Sequence, residues 1–425
     1  MDRSVPALRG RSFRYSPVLL KKRPDAVGTP TTADGYREAT CGSPSASRVL
    51  AGSGVPFQRP QLPAVGDIEA YFEASRSAGW FSNRGPCFEL LAARIEGLVG
   101  VPAEPLANAT LAIALALRAA TNGLAADRRE VLLPSFTFVA GAAAILYAGY
   151  LPVFFDVEPD GWHPDPHALE HALERRGRRV RAVLACSTFG TPPPTRLRRA
   201  WEACCGDAGV PLVVDSAAGF GAVDESGHPL GSQGSAEVFS FHATKPLAIG
   251  EGGVVTSSVS SLLARVGSLA NFGFAPDRTL TEVGLNAKLD EWHAATALAA
   301  LDELPAVLAA RARRASTLSE QLQGLPVVGQ LGGERSTHQF VPLLVDDARA
   351  RSRVLEAGRR RAVEIRTYFD PPLHRMTPFA SCTRVGTLEV TEWLADRCLS
   401  LPMANDLRDD EIEAIAGAVA EGLGR

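Results

Sequence analysis

The middle of the chain alternates short apolar runs with longer segments of helical periodicity. The short runs, most of which end at a polar or turn residue, predict strands at residues 130–134, 151–156, 180–186 and 211–215. The longer segments predict helices at residues 109–121, 137–147, 166–173 and 195–208. Strands that are separated by helices form a mainly parallel sheet with helices on both faces. The pattern therefore predicts an α/β fold.

The pattern changes towards the C-terminus. Two further strands are predicted at residues 236–241 and 252–256, and a long helical stretch follows at about residues 289–323. We expect this helix to lead into a small C-terminal α+β domain. We therefore assign residues 61–315 to a large domain and residues 316–425 to a small one.

One stretch without charges, residues 131–155, is long enough to span a bilayer. Pro134, Gly149 and Pro152 divide it into a short strand, a helix and a second strand. Gly149 suits the end of a helix, and the helix before it is too short to cross a membrane. We expect this stretch to be buried α/β core, and we expect no membrane association.

Residues 1–60 differ from the rest of the chain. They contain ten Lys and Arg against four Asp and Glu, with many Ser, Pro and Gly and no clear period. Such a segment buries too little apolar surface to offset its ordering entropy. We predict a flexible N-terminal extension at residues 1–60, either a solvated leader or a basic docking arm.

Composition excludes several classes of function. The formal net charge of −3 argues against a general nucleic-acid or membrane-surface role. Residues 1–23 lack the apolar core of a secretory signal. The seven cysteines are scattered and odd in number, which favours free thiols over a disulfide framework. These features predict a cytoplasmic protein.

The most informative motif surrounds Lys245. It stands in the run Ser-Phe-His-Ala-Thr-Lys-Pro at residues 240–246, followed by Gly-Glu-Gly-Gly at residues 250–253, and upstream Asp215 ends an apolar run. Pyridoxal phosphate chemistry needs these groups, because the amine holds the cofactor aldehyde as a Schiff base and the carboxylate keeps the ring nitrogen protonated. The alternative is a buried lysine that caps a strand, although lysines are rarely buried without a function.

The motif resembles the DegT-type nucleotide-sugar aminotransferases, which are pyridoxal phosphate-dependent and have the aspartate aminotransferase fold (fold type I). The resemblance begins near residue 62 and implies transamination, with pyridoxamine 5'-phosphate as an intermediate. It implies glutamate or glutamine as the amino donor and a keto sugar, linked to a nucleotide, as the acceptor. A cyclitol or a non-sugar carbonyl is an open alternative acceptor, since no motif specifies it.

Two other functions are compatible with the same fold. A pyridoxamine-dependent sugar dehydratase has histidine in place of the lysine, so Lys245 counts against that reading. A non-catalytic sensor would not need both Asp215 and Lys245.

The resemblance implies further contacts with the cofactor. Thr110 matches the threonine of a Ser-Gly-Thr turn that binds the phosphate at a helix N-terminus, where free N–H groups and the helix dipole favour an anion, and Ala109 replaces the glycine of that turn. Phe138 matches the aromatic residue that stacks on the ring, and Ser240 matches a phosphate-binding serine. His242 either tunes the site or has a structural role.

The chain departs from the family pattern at two further positions. Ala218 stands where the family has Gln or His in contact with the ring hydroxyl, and Lys288 stands where arginine is usual. Between them, Asn286 matches an asparagine that reaches the phosphate of the neighbouring subunit. The resemblance thus implies a homodimer with composite active sites.

Two histidine-containing segments remain. Tyr368 and His374 match a C-terminal segment that lines the substrate entrance in the family, although packing explains them equally well. Metal binding is another role that histidines can have, and the spacing of four raises it for His163, His167 and His171. Pro164 and Pro166 break the continuity of a helix there, so we expect no metal site.

Overall fold

The computed structural model describes residues 54–425 of the chain. Within this part, the helices are α1 (Val65–Ala78), α2 (Pro86–Val99), α3 (Ala109–Ala120), α4 (Val139–Tyr147), α5 (Pro166–Arg176), α6 (Thr195–Ala208), α7 (Ser260–Ala270), α8 (Glu291–Gln321), α9 (Ala348–Arg360), α10 (Glu389–Arg397) and α11 (Asp409–Gly422). The strands are β1 (Ala103–Leu106), β2 (Glu130–Pro134), β3 (Leu151–Phe155), β4 (Val180–Cys186), β5 (Leu212–Asp215), β6 (Ala236–Ser240), β7 (Gly253–Thr256), β8 (Val327–Gly329), β9 (Val341–Val345), β10 (Thr383–Arg384) and β11 (Cys398–Leu401).

The large sheet is mainly parallel. Its strand order is β1-β7-β6-β5-β4-β2-β3-β10, and β7 runs antiparallel to both of its neighbours while the other pairs are parallel. The prediction of an α/β fold with a mainly parallel central sheet is confirmed.

Both faces of the sheet are buried because its strands are apolar on both sides. Val131 packs with α3, α4 and α7, whereas the next residue, Leu132, packs on the opposite face with α5 and α6. This alternation follows from the two-residue period of a strand. Residues 131–155 form β2, α4 and β3 inside this core, and no helix within residues 54–425 is long and apolar enough to cross a membrane.

The smaller sheet has the order β11-β9-β8 and is antiparallel, with α9 and α11 packed in the same apolar core. Helix α8 joins this core to the large one. Leu304 packs in a core that also contains residues of α2, whereas Ala315 and Leu318 pack in the small-sheet core. The sequence boundary at residues 315 and 316 therefore falls inside a continuous helix.

One segment of the proposed small domain returns to the large one. Leu373, Phe379 and Leu388 pack in the same core as α3, and β10 pairs with β3 at the edge of the large sheet. Residues 373–388 therefore pack on the large domain, in contrast to the assignment of all of 316–425 to a small domain.

The folded part also begins earlier than residue 61. Val55 is paired with Val363, and Phe57 is completely buried, with its N–H donating to Glu364 Oε2 at 3.0 Å. Arg59 forms ion pairs with Asp406 and Glu411. Residues 55–60, which the sequence assigns to the flexible extension, thus pack on the core, and residues 1–53 lie outside the described part.

We expect two N-terminal deletions to differ sharply in stability. Removal of residues 1–60 takes away the buried Phe57 side chain, and the loss of such a side chain costs about 3–5 kcal/mol. Removal of residues 1–53 leaves these contacts in place. Urea unfolding of both variants measures the difference, and equal midpoints for the two deletions would contradict the stabilising role of residues 55–60.

Candidate active site

Three polar side chains lie at the carboxyl edge of the large sheet. Cys186 ends β4, Asp215 ends β5 and Ser240 ends β6. Asp215 is in register with Cys186, and the Ser240 N–H donates to Ala217 O at 3.2 Å. Because parallel strands end at the same edge, these side chains meet where open α/β sheets bind ligands.

Lys245 lies in the loop that joins β6 to β7. Backbone hydrogen bonds shape this loop: Lys245 N–H donates to His242 O at 2.9 Å, and Ala243 N–H donates to Gly250 O at 2.8 Å. The lysine is partly buried, and its Nζ donates to Gln339 Oε1 at 3.0 Å. The loop therefore presents the amine at the edge where Asp215 lies.

The electrostatics of the site couple Lys245 to Asp215. Burial lowers the pKa of Lys245 to about 8, although the negative charge of Asp215 opposes this change. Burial raises the pKa of Asp215, while the N–H of Ala217 and the charge of Lys245 act in the opposite direction. Burial and Asp215 also raise the pKa of Cys186 to about 12. The thiol of Cys186 therefore stays protonated and adds no charge to the site. The amine of Lys245 can lose its proton near neutral pH and can then act as a base.

A buried polar network fixes the strand ends beneath Asp215. Ser216 Oγ contacts Ser187 Oγ at 2.8 Å and donates to Glu237 Oε1 at 2.5 Å. Glu237 is fully buried, and its other oxygen accepts the N–H of Gly231 at 2.7 Å. These bonds tie β5 to β6 and hold the backbone that carries Asp215.

The N-terminus of α3 approaches the same edge. Asn108 caps the helix by accepting the N–H of Leu111 at 2.9 Å, and Ala109 and Thr110 are the first helical residues. Ala109 therefore has a helical backbone that does not need glycine. The close approach depends instead on Gly253 of β7, where a Cβ would lie 2.6 Å from Ala109 N.

Phe138 caps α4, and its side chain is 54% exposed. The residue before it is anchored to the site, since Thr137 Oγ1 donates to Cys186 Sγ at 3.3 Å. Phe136, two residues earlier, is fully buried among other aromatic rings. Phe138 is thus the ring of this segment that is open to a ligand.

The side chain of His242 is engaged with the lysine loop. Its Nδ1 lies 2.9 Å from Thr244 Oγ1 and accepts the N–H of Thr244 at 3.3 Å. These contacts hold the imidazole ring against the loop that carries Lys245. Ala218 contributes its backbone, because its carbonyl oxygen accepts Thr337 Oγ1–H at 2.6 Å.

Asn286 lies on an exposed segment between α7 and α8. Lys288 Nζ donates to Asn286 Oδ1 at 2.7 Å and also lies 4.6 Å from the centroid of the Phe272 ring. Because the ammonium takes the amide oxygen, the amide nitrogen of Asn286 points its donors away from Lys288. The adjacent Ala287 O accepts Ala107 N–H at 2.8 Å, next to the start of α3.

Tyr368 and His374 lie in different surroundings, one among aromatic rings and the other between polar side chains. Tyr368 packs against Phe57 and Phe340 at ring-centroid distances of 5.8 and 5.6 Å. His374 is 3% exposed, and its two ring nitrogens contact Ser135 Oγ and Glu392 Oε1, both at 2.7 Å. These contacts favour the packing explanation for His374.

The histidine segment is divided as the prolines predict. Helix α5 begins at Pro166, so His163 lies outside it and is fully buried, while His167 and His171 lie on it and are exposed. Within residues 54–425, no group of three or more His, Cys, Asp or Glu side chains is arranged to hold a metal ion.

Sequence reasoning missed two residues of this region. Cys186 could have been found, because it ends a strand that was predicted next to the one carrying Asp215. Gln339 contacts Lys245 but comes from a segment far along the chain, and no local pattern marks it.

The residues fit a phosphorylated pyridine aldehyde. The start of α3 offers free N–H groups beside Gly253, where any Cβ would close the approach. Asp215 is a buried carboxylate, for which a pyridinium would supply the opposite charge. Lys245 supplies an amine with a lowered pKa. Asp215, Lys245, Ser240 and the start of α3 thus meet the needs of the ring, the aldehyde and the phosphate.

Comparison with known proteins agrees with this geometry. Residues 65–420 match the family model of the DegT/DnrJ/EryC1/StrS aminotransferase family. Protein Rv3402c of Mycobacterium tuberculosis is 34% identical over 372 residues, which are 86% of this chain and 90% of that protein.

Two further relatives have named activities or ligands. The UDP-N-acetyl-3-dehydro-alpha-D-glucosamine 3-aminotransferase of Acidithiobacillus ferrooxidans is 32% identical, over 80% of this chain and 89% of that protein. The crystal structure of DesI in the presence of its TDP-sugar product superposes with a TM-score of 0.79 at 33% identity, covering 88% of this chain and 94% of DesI. The chain therefore belongs to the DegT/DnrJ/EryC1/StrS aminotransferase family and is a pyridoxal phosphate-dependent aminotransferase.

Proposed function

We propose that the protein transfers an amino group from glutamate or glutamine to the keto group of a nucleotide-linked sugar, in amino-sugar or natural-product biosynthesis. The observation that carries the transaminase chemistry is the placement of buried Asp215 and partly buried Lys245 at one sheet edge. The sugar acceptor is supported by relatives, since DesI is described with a TDP-sugar product and the A. ferrooxidans enzyme is named for a UDP-linked sugar.

Each site residue has a distinct task in this proposal. Pyridoxal phosphate, when bound, supplies an aldehyde that links to amines and a ring that withdraws electrons. Asp215 would stabilise a protonated ring nitrogen by its charge, and the N-terminus of α3 with Ser240 would bind the phosphate. Lys245 would hold the aldehyde through its amine, and the same amine would move protons at the substrate carbon. The exposed ring of Phe138 would stack on the pyridine ring and exclude water from it.

Attachment of pyridoxal phosphate to the apoprotein should follow the titration of Lys245. The neutral amine is the attacking form, and its pKa is lowered from 10.5 to about 8. The attachment rate should therefore rise about tenfold per pH unit below pH 8 and level off above it. Stopped-flow absorbance gives this profile, and a rate that still climbs tenfold between about pH 9 and about pH 10 would contradict it.

The acceptor is tested with a panel of ketones. Purified holoenzyme is assayed with UDP- and TDP-linked keto sugars, cyclitol ketones and simple ketones, each with glutamate and with glutamine. We expect turnover with a nucleotide-linked keto sugar and a loss of kcat/KM when the nucleotide is removed. Preferred turnover of a cyclitol or a simple ketone would replace the proposed substrate class while leaving transamination intact.

We also propose that the active unit is a homodimer. The segment around Asn286 exposes large apolar side chains, namely Phe272, Leu280, Val283, Leu285 and Trp292. Large apolar side chains that are exposed in one segment of the chain favour an interaction site there. The amide donors of Asn286, which bind no residue of 54–425, suit an anion, and this supports a role at the phosphate of the partner subunit.

Mixing two impaired variants should restore activity if Asn286 acts across the interface. Asn286→Asp should weaken cofactor retention, because it places a negative charge near the phosphate. In a mixture of Lys245→Ala and Asn286→Asp chains, each heterodimer would carry one site without either change. Random pairing then restores about a quarter of the wild-type sites. No recovery after verified subunit exchange would place Asn286 within its own subunit's site or outside the site.

The cysteines support a reducing, cytoplasmic location, which we also propose. Six cysteines within residues 54–425 are free, and Cys87, Cys186, Cys205 and Cys398 are buried. Buried free thiols persist where the surroundings are kept reduced.

A further inference from the structure

A short segment before β9, residues 336–340, lies beside Lys245 at the candidate active site. We call it the bridging segment. Ser336 Oγ donates to Phe189 O at 3.2 Å, and Thr337 Oγ1 donates to Ala218 O at 2.6 Å. The segment therefore fastens the strand of the small sheet to two loops of the large domain.

Gln339 of the bridging segment contacts the reactive lysine directly. It is 8% exposed, and its Oε1 accepts Lys245 Nζ–H at 3.0 Å. Its Nε2 donates to Thr244 Oγ1 at 3.3 Å, and that hydroxyl lies 2.9 Å from His242 Nδ1. Both ends of the amide are thus engaged, so the oxygen faces the amine and the nitrogen faces the hydroxyl.

Arg311 of α8 is bound to the backbone of the bridging segment. Its Nη1 donates to His338 O at 3.0 Å and to Gln339 O at 3.5 Å. Arg311 is 5% exposed, and its other terminal nitrogen, Nη2, donates to Asn405 Oδ1 at 3.5 Å. Because the buried guanidinium donates to the backbone carbonyls of His338 and Gln339, it fixes the position of the backbone that carries the Gln339 side chain.

We propose that Gln339 is a positioning residue for Lys245, which rests on the proposed role of Lys245 as the cofactor-binding amine. The amide oxygen cannot take a proton at neutral pH, so Gln339 acts by orientation. It accepts one N–H of the amine, so the lone pair cannot face Gln339, and this excludes one of the three staggered orientations about the Cε–Nζ bond. The contact needs an N–H on Nζ, so it acts whenever the amine is released.

Removing the acceptor should also change the titration of Lys245. A hydrogen bond to the ammonium is stronger than one to the neutral amine, so its loss favours the neutral form. The titratable and charged groups on the elements around Lys245 otherwise stay the same: Asp215, Cys186, His242, Glu251, Arg59, Glu303, Arg311 and His338. We expect the pKa of Lys245 to fall by about one unit in Gln339→Leu.

The test uses three variants as full-length apoprotein. Gln339→Leu removes the acceptor with a similar volume, and Gln339→Glu keeps an acceptor and adds a charge. Gln321→Leu, at an exposed position in the last turn of α8, is the matched control. Competitive labelling with acetic anhydride across pH gives the pKa of Lys245, and borohydride reduction of protein loaded with pyridoxal phosphate gives the site of attachment.

Gln339→Leu should lower the pKa, Gln339→Glu should raise it, and Gln321→Leu should leave it unchanged. Amino-donor half-reactions in Gln339→Leu should slow by about 10- to 100-fold with attachment still at Lys245. An unchanged pKa in a folded Gln339→Leu protein would overturn the proposal, even if its melting temperature falls. The pKa measurement uses no substrate, so it tests Gln339 independently of the reaction that the enzyme catalyses. Attachment of pyridoxal phosphate to a residue other than Lys245 in the wild type would instead refute the proposed function.

Discussion

Replacing Lys245 by alanine should reduce transamination by about 10⁴-fold or more, since one change removes both the covalent anchor and the proton-transfer base. The side chain lies at the sheet edge beside Asp215, and burial keeps its pKa low enough for an amine to act near neutral pH. Single-turnover kinetics with glutamate measure the loss at the chemical step.

Lys245→Arg is the matched control for charge. Arginine retains a cation next to Asp215 but stays protonated and cannot act as a nucleophile or base. If Lys245 served only as an ion-pair partner, this variant would keep activity. Turnover above about one tenth of the wild-type value in either variant would contradict the assigned role.

Replacing Asp215 by asparagine should lower kcat by about 10²- to 10⁴-fold, within the range that positioned acid–base groups contribute. The amide has a similar shape, and its oxygen can still accept the N–H of Ala217, which donates to Asp215 Oδ1 at 3.0 Å. The lost component is the negative charge that favours a protonated ring nitrogen. Pyridoxal phosphate should still attach to Lys245 in this variant.

Asp224→Asn separates this electrostatic effect from a loss of folding. Asp224 is also buried, but it accepts the N–H groups of Ser226 and His228 and pairs with Arg198 in a turn. Its replacement should lower the melting temperature and leave kcat per folded site unchanged. Equal effects of the two substitutions on kcat would contradict a special role for Asp215.

The core strands were predictable because burial on both faces leaves a strong signal. Residues 130–134 and 180–186 were predicted with the bounds of β2 and β4, since apolar runs end there at turn residues. Strand β1 was missed because Glu104 and Pro105 interrupt its apolar pattern. Glu104 is buried only because Arg84 donates to both of its oxygens at 2.8 Å, and this partner is twenty residues away.

Long-range packing explains the errors at the N-terminus. Residues 54–60 show no periodicity, and they fold because Phe57 fills a pocket beside Phe340 and Tyr368. Their partners lie about 300 residues further on, so no local window contains the signal.

Some residues of the candidate site could likewise be predicted from the sequence and others could not. Asp215, Ser240 and Lys245 belong to strand ends and one loop, so their order along the chain already indicates a common edge. Gln339 reaches Lys245 from the bridging segment, which depends on the packing of Arg311 against backbone carbonyls. The sequence has no pattern that specifies this contact.

The most direct measurement of the central claim is the location of the cofactor on the chain. The lysines are Lys21, Lys22, Lys245 and Lys288, so peptide mapping after borohydride reduction has few alternatives to separate. We predict that holoenzyme reduced with borohydride carries the pyridoxyl group on Lys245 alone. A modified peptide that contains Lys288 or the N-terminal pair instead, or no modified peptide at all, would contradict the account.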